Sequence, residues 1–502
     1  MGREFIKMKG HPRRELKREM SMGYTLEQVV ADLVDNSIDA QAEHVEVIFD
    51  EEQYGGAASH YVIVADDGKG IEGDDISSIM DFGVERSYGE LELGKFGVGL
   101  KSSSLSQASE ITVLSKIEGG SVNLRRLSAK IVEERDEWVL VDTLSEHQHT
   151  DAVAVARALL DGRPSGTVVV LEDMHKLDLR VGDEEHKAAY LDEEYQIIRE
   201  YLSLVFERYL AGTALERSDG TTVERSIRIS FNGPNEVLRP LDPFLRELQD
   251  GSRTGTLCYS QPIRLDHNGS THHVNVTIWI TPNESDRPLG YDKRIRRASR
   301  DLSIRELQGF YFYRNGRLID FPGWKKLVKV EEHGTCLRWE IEFPSSADDL
   351  FQIDPSKRGV ELPAILRTPL AKMMAEKRFF HPTDTAKENH RRRARRRQGG
   401  KDAATQPLPP TGGSPPTGAG PSTGGGATNG PATPTGPPAP GPAPKPKPPA
   451  KKPLRKVRIK SMRGTLTGNL VVNEKQEGDT WVITLNEAHS MYEAFRDTMR
   501  ER

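Results

Sequence analysis

Three polar segments lie within residues 32–102, and their order restricts the fold more than any other feature of the chain. Asp32-Leu33-Val34-Asp35-Asn36-Ser37-Ile38-Asp39-Ala40 is the first. Asp66-Asp67-Gly68-Lys69-Gly70 follows the apolar run Tyr61–Ala65. Gly94-Lys95-Phe96-Gly97-Val98-Gly99-Leu100-Lys101-Ser102 is a glycine-rich segment leading into a predicted helix. Thr25 and Gln28 have capping-box spacing, and Leu26, Val29, Val30, Leu33 and Ile38 supply one buried side, so a helix is predicted over Leu26–Ala40. Asp32 and Asn36 stand four apart on it and share a face that Asp39 extends. Val45, Val47 and Phe49 alternate as a strand. A helical piece is expected at 75–82, a helix at 98–108, and strands at 110–117, 122–133, 137–142 and 166–172. The natural reading is an α+β sandwich.

The chemistry follows from the residue types. Triphosphate hydrolysis needs a carboxylate to orient water and an oxygen ligand on magnesium, which otherwise uses phosphate oxygens and waters. A carboxylate at a strand end can accept the exocyclic amine of adenine, and two glycines let backbone approach the base. Gly94, Gly97 and Gly99 precede a predicted helix whose free amides can bind phosphate, and Lys101 in its first turn adds positive charge. Each segment alone has a plainer reading: a solvated helix face, an ordinary strand-ending turn, a glycine loop. Gly89 to Lys95 also fits G-x-x-x-x-G-K, but a P-loop needs Ser or Thr next, where Phe96 stands, and no apolar strand leads in. The P-loop reading is rejected.

Taken in order, the three segments resemble the Bergerat fold of the GHKL superfamily: gyrase, the large heat-shock chaperone, histidine kinases and MutL. The lid, with Asp-Asn-Ser-Ile-Asp-Ala upstream, is most similar to the Microrchidia (MORC) group and its bacterial relatives. Phe312-Tyr313-Arg314-Asn315-Gly316-Arg317-Leu318-Ile319 is similar to a strand of MORC-type transducer domains. The resemblance covers about 20–380. It implies ATP and Mg2+ as cofactors, with Asp32 as general base and Asn36 on the metal. It assigns the adenine contact to Asp66, with Gly68, Gly70 and Ile71 framing the pocket and Thr167, in Ser165-Gly166-Thr167, beside the base. Asp39 and the lid residues Gly94, Lys95, Phe96, Gly97, Val98, Gly99, Leu100 and Lys101 would surround the triphosphate. A transducer cation would reach the γ-phosphate. Lys357, beside Arg358, matches that position best, with Lys325 and Lys326 as competitors. Most members have Glu where this chain has Asp32, and the shorter arm implies slow hydrolysis. Asp35, roughly 100° further round the helix, ranks second as base.

The expected organisation is an N-terminal arm (1–22), an ATP-binding domain (23–180), a transducer-like α+β domain similar to ribosomal protein S5 (181–388), a basic Pro/Gly-rich disordered linker (389–456) and a small α+β docking element (457–502). Within the second domain a long amphipathic helix is expected at 185–212, strand-rich segments at 226–231, 272–281, 308–320 and 335–343, and a helix at 363–379. Residues 402–453 hold almost no large apolar side chain, so a tether spanning roughly 40 Å or somewhat more is expected. Strands are expected at 457–463, 465–473 and 481–485, and a helix at 490–502.

Charge is unevenly spread. Residues 389–463 hold sixteen Lys or Arg against one acid, Asp402, and the tail from 464 holds four bases and seven acids; of 70 bases and 75 acids in all, this leaves about −17 on the preceding body. Arg391–Arg397 and 445–463 are therefore the candidate contacts for DNA, and a solvated linker end is the plainer alternative. Cys258 and Cys336 stand alone, no apolar run of signal-peptide type follows Met1, and no 18-residue apolar segment occurs, so a cytoplasmic protein is expected. The leading functional expectation is a Mg-dependent ATPase whose ATP-gated homodimerisation closes a clamp on DNA, with residues 1–21 strapping the second subunit. The alternative is a chaperone-like or scaffold protein using ATP occupancy as a switch on a protein partner. A histidine kinase needs a phosphoacceptor His upstream, where only His11 stands.

Overall fold

In the computed structural model, the amide of Thr25 donates to Gln28 Oε1 at 3.2 Å, the return half of a capping box that opens the helix Leu26–Asp39 (α2). A shorter helix, Pro12–Met20 (α1), precedes it. The structure describes residues 11–54, 57–73, 75–80, 89–94, 99–145, 148–177, 184–246, 254–267, 269–332, 334–353 and 359–376, together with the strands 456–462, 471–477 and 480–486. The chain divides into two units, Met1–Asn389 and His390–Arg502.

The first unit holds two large sheets. One runs β4-β3-β5-β2-β1-β8, from β1 (His44–Tyr54), β2 (Ala57–Asp66), β3 (Glu110–Lys116), β4 (Asn123–Ser128), β5 (Gly166–Glu172) and β8 (Arg228–Phe231). β8 lies beyond residue 180, where the ATP-binding domain was expected to end, and pairs in parallel with β1; all other neighbours are antiparallel. β6 (Thr213–Glu216) and β7 (Thr222–Arg225) form a separate ribbon.

Both faces of this sheet are covered, which explains its unbroken apolar runs. Val62, Val64, Val169 and Leu171 join the core built on Val29, Val30, Leu33 and Val34 of α2. Their neighbours Tyr61, Ile63, Ala65, Val168 and Val170 face Ala152, Val153, Ala156 and Leu160. Those last four belong to a helix, Asp151–Asp161, that sequence reasoning missed.

Several expectations are corrected. The strand expected over 122–133 stops at Ser128, whose hydroxyl accepts from the Ile131 amide and caps a helix, Ala129–Arg135. The expected strand 137–142 is a single bridge between Val141 and Arg126. The helix expected over 98–108 is a π-helical turn, Gly99–Ser103, continued only through Ser104 and Leu105. Residues 11–20, part of the expected N-terminal arm, form α1 with Pro12 in its first turn. Arg13 bonds the Glu133 carbonyl, and Trp138 Nε1 donates to Glu15 at 3.1 Å, so this part of the expected arm lies on its own chain. Only Leu16 among its apolar residues is fully buried, so no period was visible.

The second sheet runs β12-β11-β13-β10-β9, from β9 (Thr256–His267), β10 (Ser270–Ile280), β11 (Gly309–Arg314), β12 (Arg317–Asp320) and β13 (Leu337–Phe343). Phe310 and Phe312 of β11 join a core with Trp339, Ile341, Leu366 and Leu370, the last two from the helix Ala364–Glu376. Tyr311 and Tyr313, alternating with them, belong to the core of α2. One continuous apolar core therefore links α2 to the second sheet. The long amphipathic helix is broken at Phe206 into Glu184–Val205 and Glu207–Ala211.

In the second unit, β14 (Lys456–Met462), β16 (Thr480–Asn486) and β15 (Val471–Glu477) form a three-stranded sheet in that order. Of the strand expected at 465–473, residues 465–470 lie outside the described residues, and 471–473 open β15, which runs on to Glu477. The tether, Arg391–Arg397 and the helix expected at 490–502 lie outside the described residues. The chain is α+β, consistent with the GHKL fold. Cys258 is exposed, Cys336 is buried, and neither is in a disulfide. Among the described residues no helix is long and apolar enough to cross a membrane.

Candidate functional site

α2 carries acids of different exposure. Asp32 and Asp35 are buried, Asn36 is exposed and Asp39 is half-buried. Asp35, ranked second as base, is held in a buried ion pair. Its carboxylate accepts from Arg317 Nε at 2.6 Å, with both side chains almost wholly buried. Asp32 lies within electrostatic reach of the same pair: burial opposes the Arg317 charge, and Asp35, Tyr201 and Asp32 together outweigh it and raise its pKa. Asp32 therefore sits deeper than Asn36, although both share the four-residue spacing.

The strand-ending turn meets the far end of α2. Asp66 is the last residue of β2, and its buried Oδ1 accepts from the amides of Gly68 at 2.9 Å and Thr167 at 3.2 Å, while Oδ2 accepts from Ser37 Oγ at 3.2 Å. Burial raises this carboxyl to about 6, against the pull of those donors. Two carboxylate oxygens offer about four lone-pair sites, so one acceptor position remains on Oδ2 for a ligand amine. Gly70 has φ +71°, and a Cβ there would stand 2.0 Å from the Lys116 carbonyl oxygen. A Cβ on Gly68 would meet Ala40 at 2.8 Å. The turn is thus pressed against β3 and α2 at both glycines, which fits a pocket whose wall is backbone.

Three serines that sequence reasoning missed complete this end. Ser37 also bonds the Leu33 carbonyl one turn back. Ser115 accepts from the Ile71 amide at 2.9 Å, donates to the Gly166 carbonyl at 2.9 Å and lies 2.9 Å from the Thr167 hydroxyl. Ser165 donates to the Gly68 carbonyl at 2.8 Å. Ser37 stands inside the first motif and was open to assignment. Ser115 carries no sequence signal, because only the β3–β5 register sets it opposite Thr167.

The lid begins beside the same end of α2. Asp39 Oδ1 accepts from the Leu93 amide and Oδ2 from the Gly94 amide, each at 2.8 Å. Burial raises Asp39 to about 6, with the two amides acting in the opposite direction. Leu100 is half-buried, and Lys101 is buried within the π-helical turn. Lys95, Phe96, Gly97, Val98, Lys357 and Arg358 lie outside the described residues. Lys325 is paired with Asp320, whereas Lys326 is exposed. Among the described residues no cluster of three His, Cys, Asp or Glu side chains is built to hold a metal alone. A magnesium ion carried by a triphosphate needs few protein ligands, and the exposed Asn36 carboxamide suits that demand.

The helix, the turn and the start of the lid thus converge at the C-terminal end of α2, where Ser37 bonds the buried Asp66 and the half-buried Asp39 bonds the Leu93 and Gly94 amides. No curated protein matches the chain. Residues 24–167, less than a third of the sequence, match the family described as histidine kinase-, DNA gyrase B-, and HSP90-like ATPase. The match runs from Tyr24, just before the cap of α2, to Thr167, one of the donors to Asp66. Residues 24–167 are thus similar to the ATP-binding domain of this ATPase type.

Proposed function

We propose that this chain is a Mg-dependent ATPase of the MORC type, in which ATP closes the lid and drives two copies into a clamp, with DNA as the client. Asp39 accepting from the amides of Leu93 and Gly94, at the entry to the lid, is the observation that carries this reading, because it ties the start of the lid to the helix bearing Asp32 and Asn36. Asp66 would receive the adenine amine, with Gly68, Gly70, Ile71 and Thr167 around the base. Asn36 would ligate Mg2+, which supplies charge neutralisation at the phosphates. Asp32 would orient the attacking water, and its short arm makes turnover slow. Gly94 to Lys101 would enclose the triphosphate, and Lys357 would meet the γ-phosphate. The second sheet, sharing an apolar core with α2, is suited to a transducer role. Arg391–Arg397 and 445–463 would supply salt-sensitive DNA affinity.

The test is ATP turnover with and without Mg2+, joined to light scattering with a non-hydrolysable ATP analogue and duplex DNA. Mg-dependent turnover lost in Asp32→Ala, with analogue-dependent dimers retained, is the expected result. A chain that turns over ATP but remains monomeric on DNA overturns the clamp. Turnover that survives Asp32→Ala overturns the role of Asp32.

A further inference from the structure

Sequence similarity singled out the segment Phe312–Ile319, but no part of the ATP chemistry was assigned to it. The structure makes it a tight hairpin. Arg314 and Arg317 are directly opposed across β11 and β12, and Asn315 and Gly316 form the two-residue turn, both at positive φ (46° and 77°). The two arginines then reach different parts of the ATP-binding domain. Arg317 takes Asp35 of α2. Arg314 Nη1 donates to the carbonyls of Glu92 and Leu93, each at 3.0 Å, while Nε and Nη2 hold Asp348 at 2.7 and 2.9 Å. Asn315 Nδ2 and Ser345 Oγ both donate to the Glu90 carbonyl, at 3.0 and 2.5 Å.

Residues 90–94 are therefore held on two sides. Asp39 takes the amides of Leu93 and Gly94, and Arg314 takes the carbonyls of Glu92 and Leu93. The guanidinium is 6 % exposed, and Asp348 clamps it in one orientation, so it offers a fixed fork rather than a mobile charge. We propose that Arg314 is a positioning residue for ATP turnover, setting the lid stem Glu90–Gly94 against α2 from the second sheet while touching no reacting atom. The inference rests on reading Gly94–Gly99 as the ATP lid. Because Arg317 grips α2 from the other side of the same turn, lid and helix are registered to one hairpin. A shift of the hairpin moves the lid relative to Asp32 and Asn36.

Arg314→Lys keeps a cation for Asp348 but, with three donors on a single nitrogen, cannot hold both oxygens of that carboxylate and two carbonyls together. Steady-state ATP turnover and equilibrium binding of a non-hydrolysable analogue are measured on the full chain, with hydrogen exchange of peptides covering 89–94. Arg264→Lys, in an exposed pair with Asp266, is the control. The expected result is a kcat about ten- to a hundred-fold lower with analogue affinity nearly unchanged, since a displacement of about an ångström costs rate rather than binding. Exchange at 89–94 rises without nucleotide, while β10 and β13 exchange as before. Ser345→Ala, which leaves Arg314 and Asp348 intact, moves both readouts in the same direction by less. Unchanged kcat in Arg314→Lys overturns the proposal, as does faster exchange spread through β11 and β13, which marks a merely structural role. If the wild type neither binds nor hydrolyses ATP, the functional reading fails, and nucleotide-free exchange at 89–94 still decides whether Arg314 holds the stem.

Discussion

Arg317 and Asp35, separated by 282 positions in the sequence, form a buried ion pair at 2.6 Å that fixes the second sheet to α2. Desolvation makes such a pair costly to form and costlier to break, because the survivor is left as an uncompensated buried charge. Arg317→Ala is expected to destabilise the chain by about 3–5 kcal/mol, read by denaturant unfolding. Asp35→Asn with Arg317→Met, which removes both charges, should recover most of that loss. A single variant as stable as the wild type contradicts the pairing.

Asp66 supplies a pH prediction with opposite signs for stability and ligand binding. Its carboxyl is raised to about 6 by burial, so between the ordinary carboxylate value and about 6 the folded chain holds a proton that the unfolded chain has lost. This group's contribution to stability is therefore greatest at low pH and falls as pH rises through about 6. Adenine recognition needs the ionised acceptor, so analogue affinity should fall as pH drops below about 6. Asp66→Asn should raise the melting temperature at pH 7.5, weaken analogue binding and flatten its pH profile. Titration calorimetry across pH 5–8 checks this, and an unchanged profile in Asp66→Asn removes Asp66 from the adenine contact.

At the metal end, Asn36→Ala should abolish the Mg2+ dependence of analogue binding without lowering stability, since the side chain is exposed. Asp32→Glu restores the residue usual in the superfamily and should raise kcat by about ten-fold, if carboxylate reach sets the rate. Single-turnover kinetics separate this from faster product release.

Gly70→Ala places a side chain at φ +71° and drives a methyl group to 2.0 Å from the Lys116 carbonyl oxygen. Backbone conformation alone should cost about 1–3 kcal/mol. The collision displaces Ile71 from Ser115, so analogue affinity should fall as well. Gly119→Ala has a similar φ, +72°, and open space around it. It is the matched control, with the backbone cost and no loss of affinity.

The site was legible where polar residues end apolar elements. α2 was expected over Leu26–Ala40 and is found at Leu26–Asp39, and Asp66 ends its strand as expected. The missed parts lacked such contrast. The helix Asp151–Asp161 reads DAVAVARALLD, in which small residues alternate as readily as they wind. β9 reads TLCYSQPIRLDH, largely exposed and with no period of two. Asn315-Gly316 was a strong turn signal inside a stretch read only as strand-rich. The contacts of Arg314 and Arg317 could not be read at all, because the fold alone brings residues 314–317 to residues 35 and 92.

β8 gives the first sheet a schedule as well as a shape. His44–Val47 find their parallel partners only in Arg228–Phe231, on the far side of the helix Glu184–Val205. During synthesis, the ATP-binding domain reaches residue 167 with one flank of β1 still lacking its mate, and it stays so while a further sixty or so residues are translated. A nascent chain paused there, or a fragment cut at residue 180, presents open backbone ready to pair with another molecule. The ATP-binding part should therefore be expressed and studied with the chain through Phe231 attached.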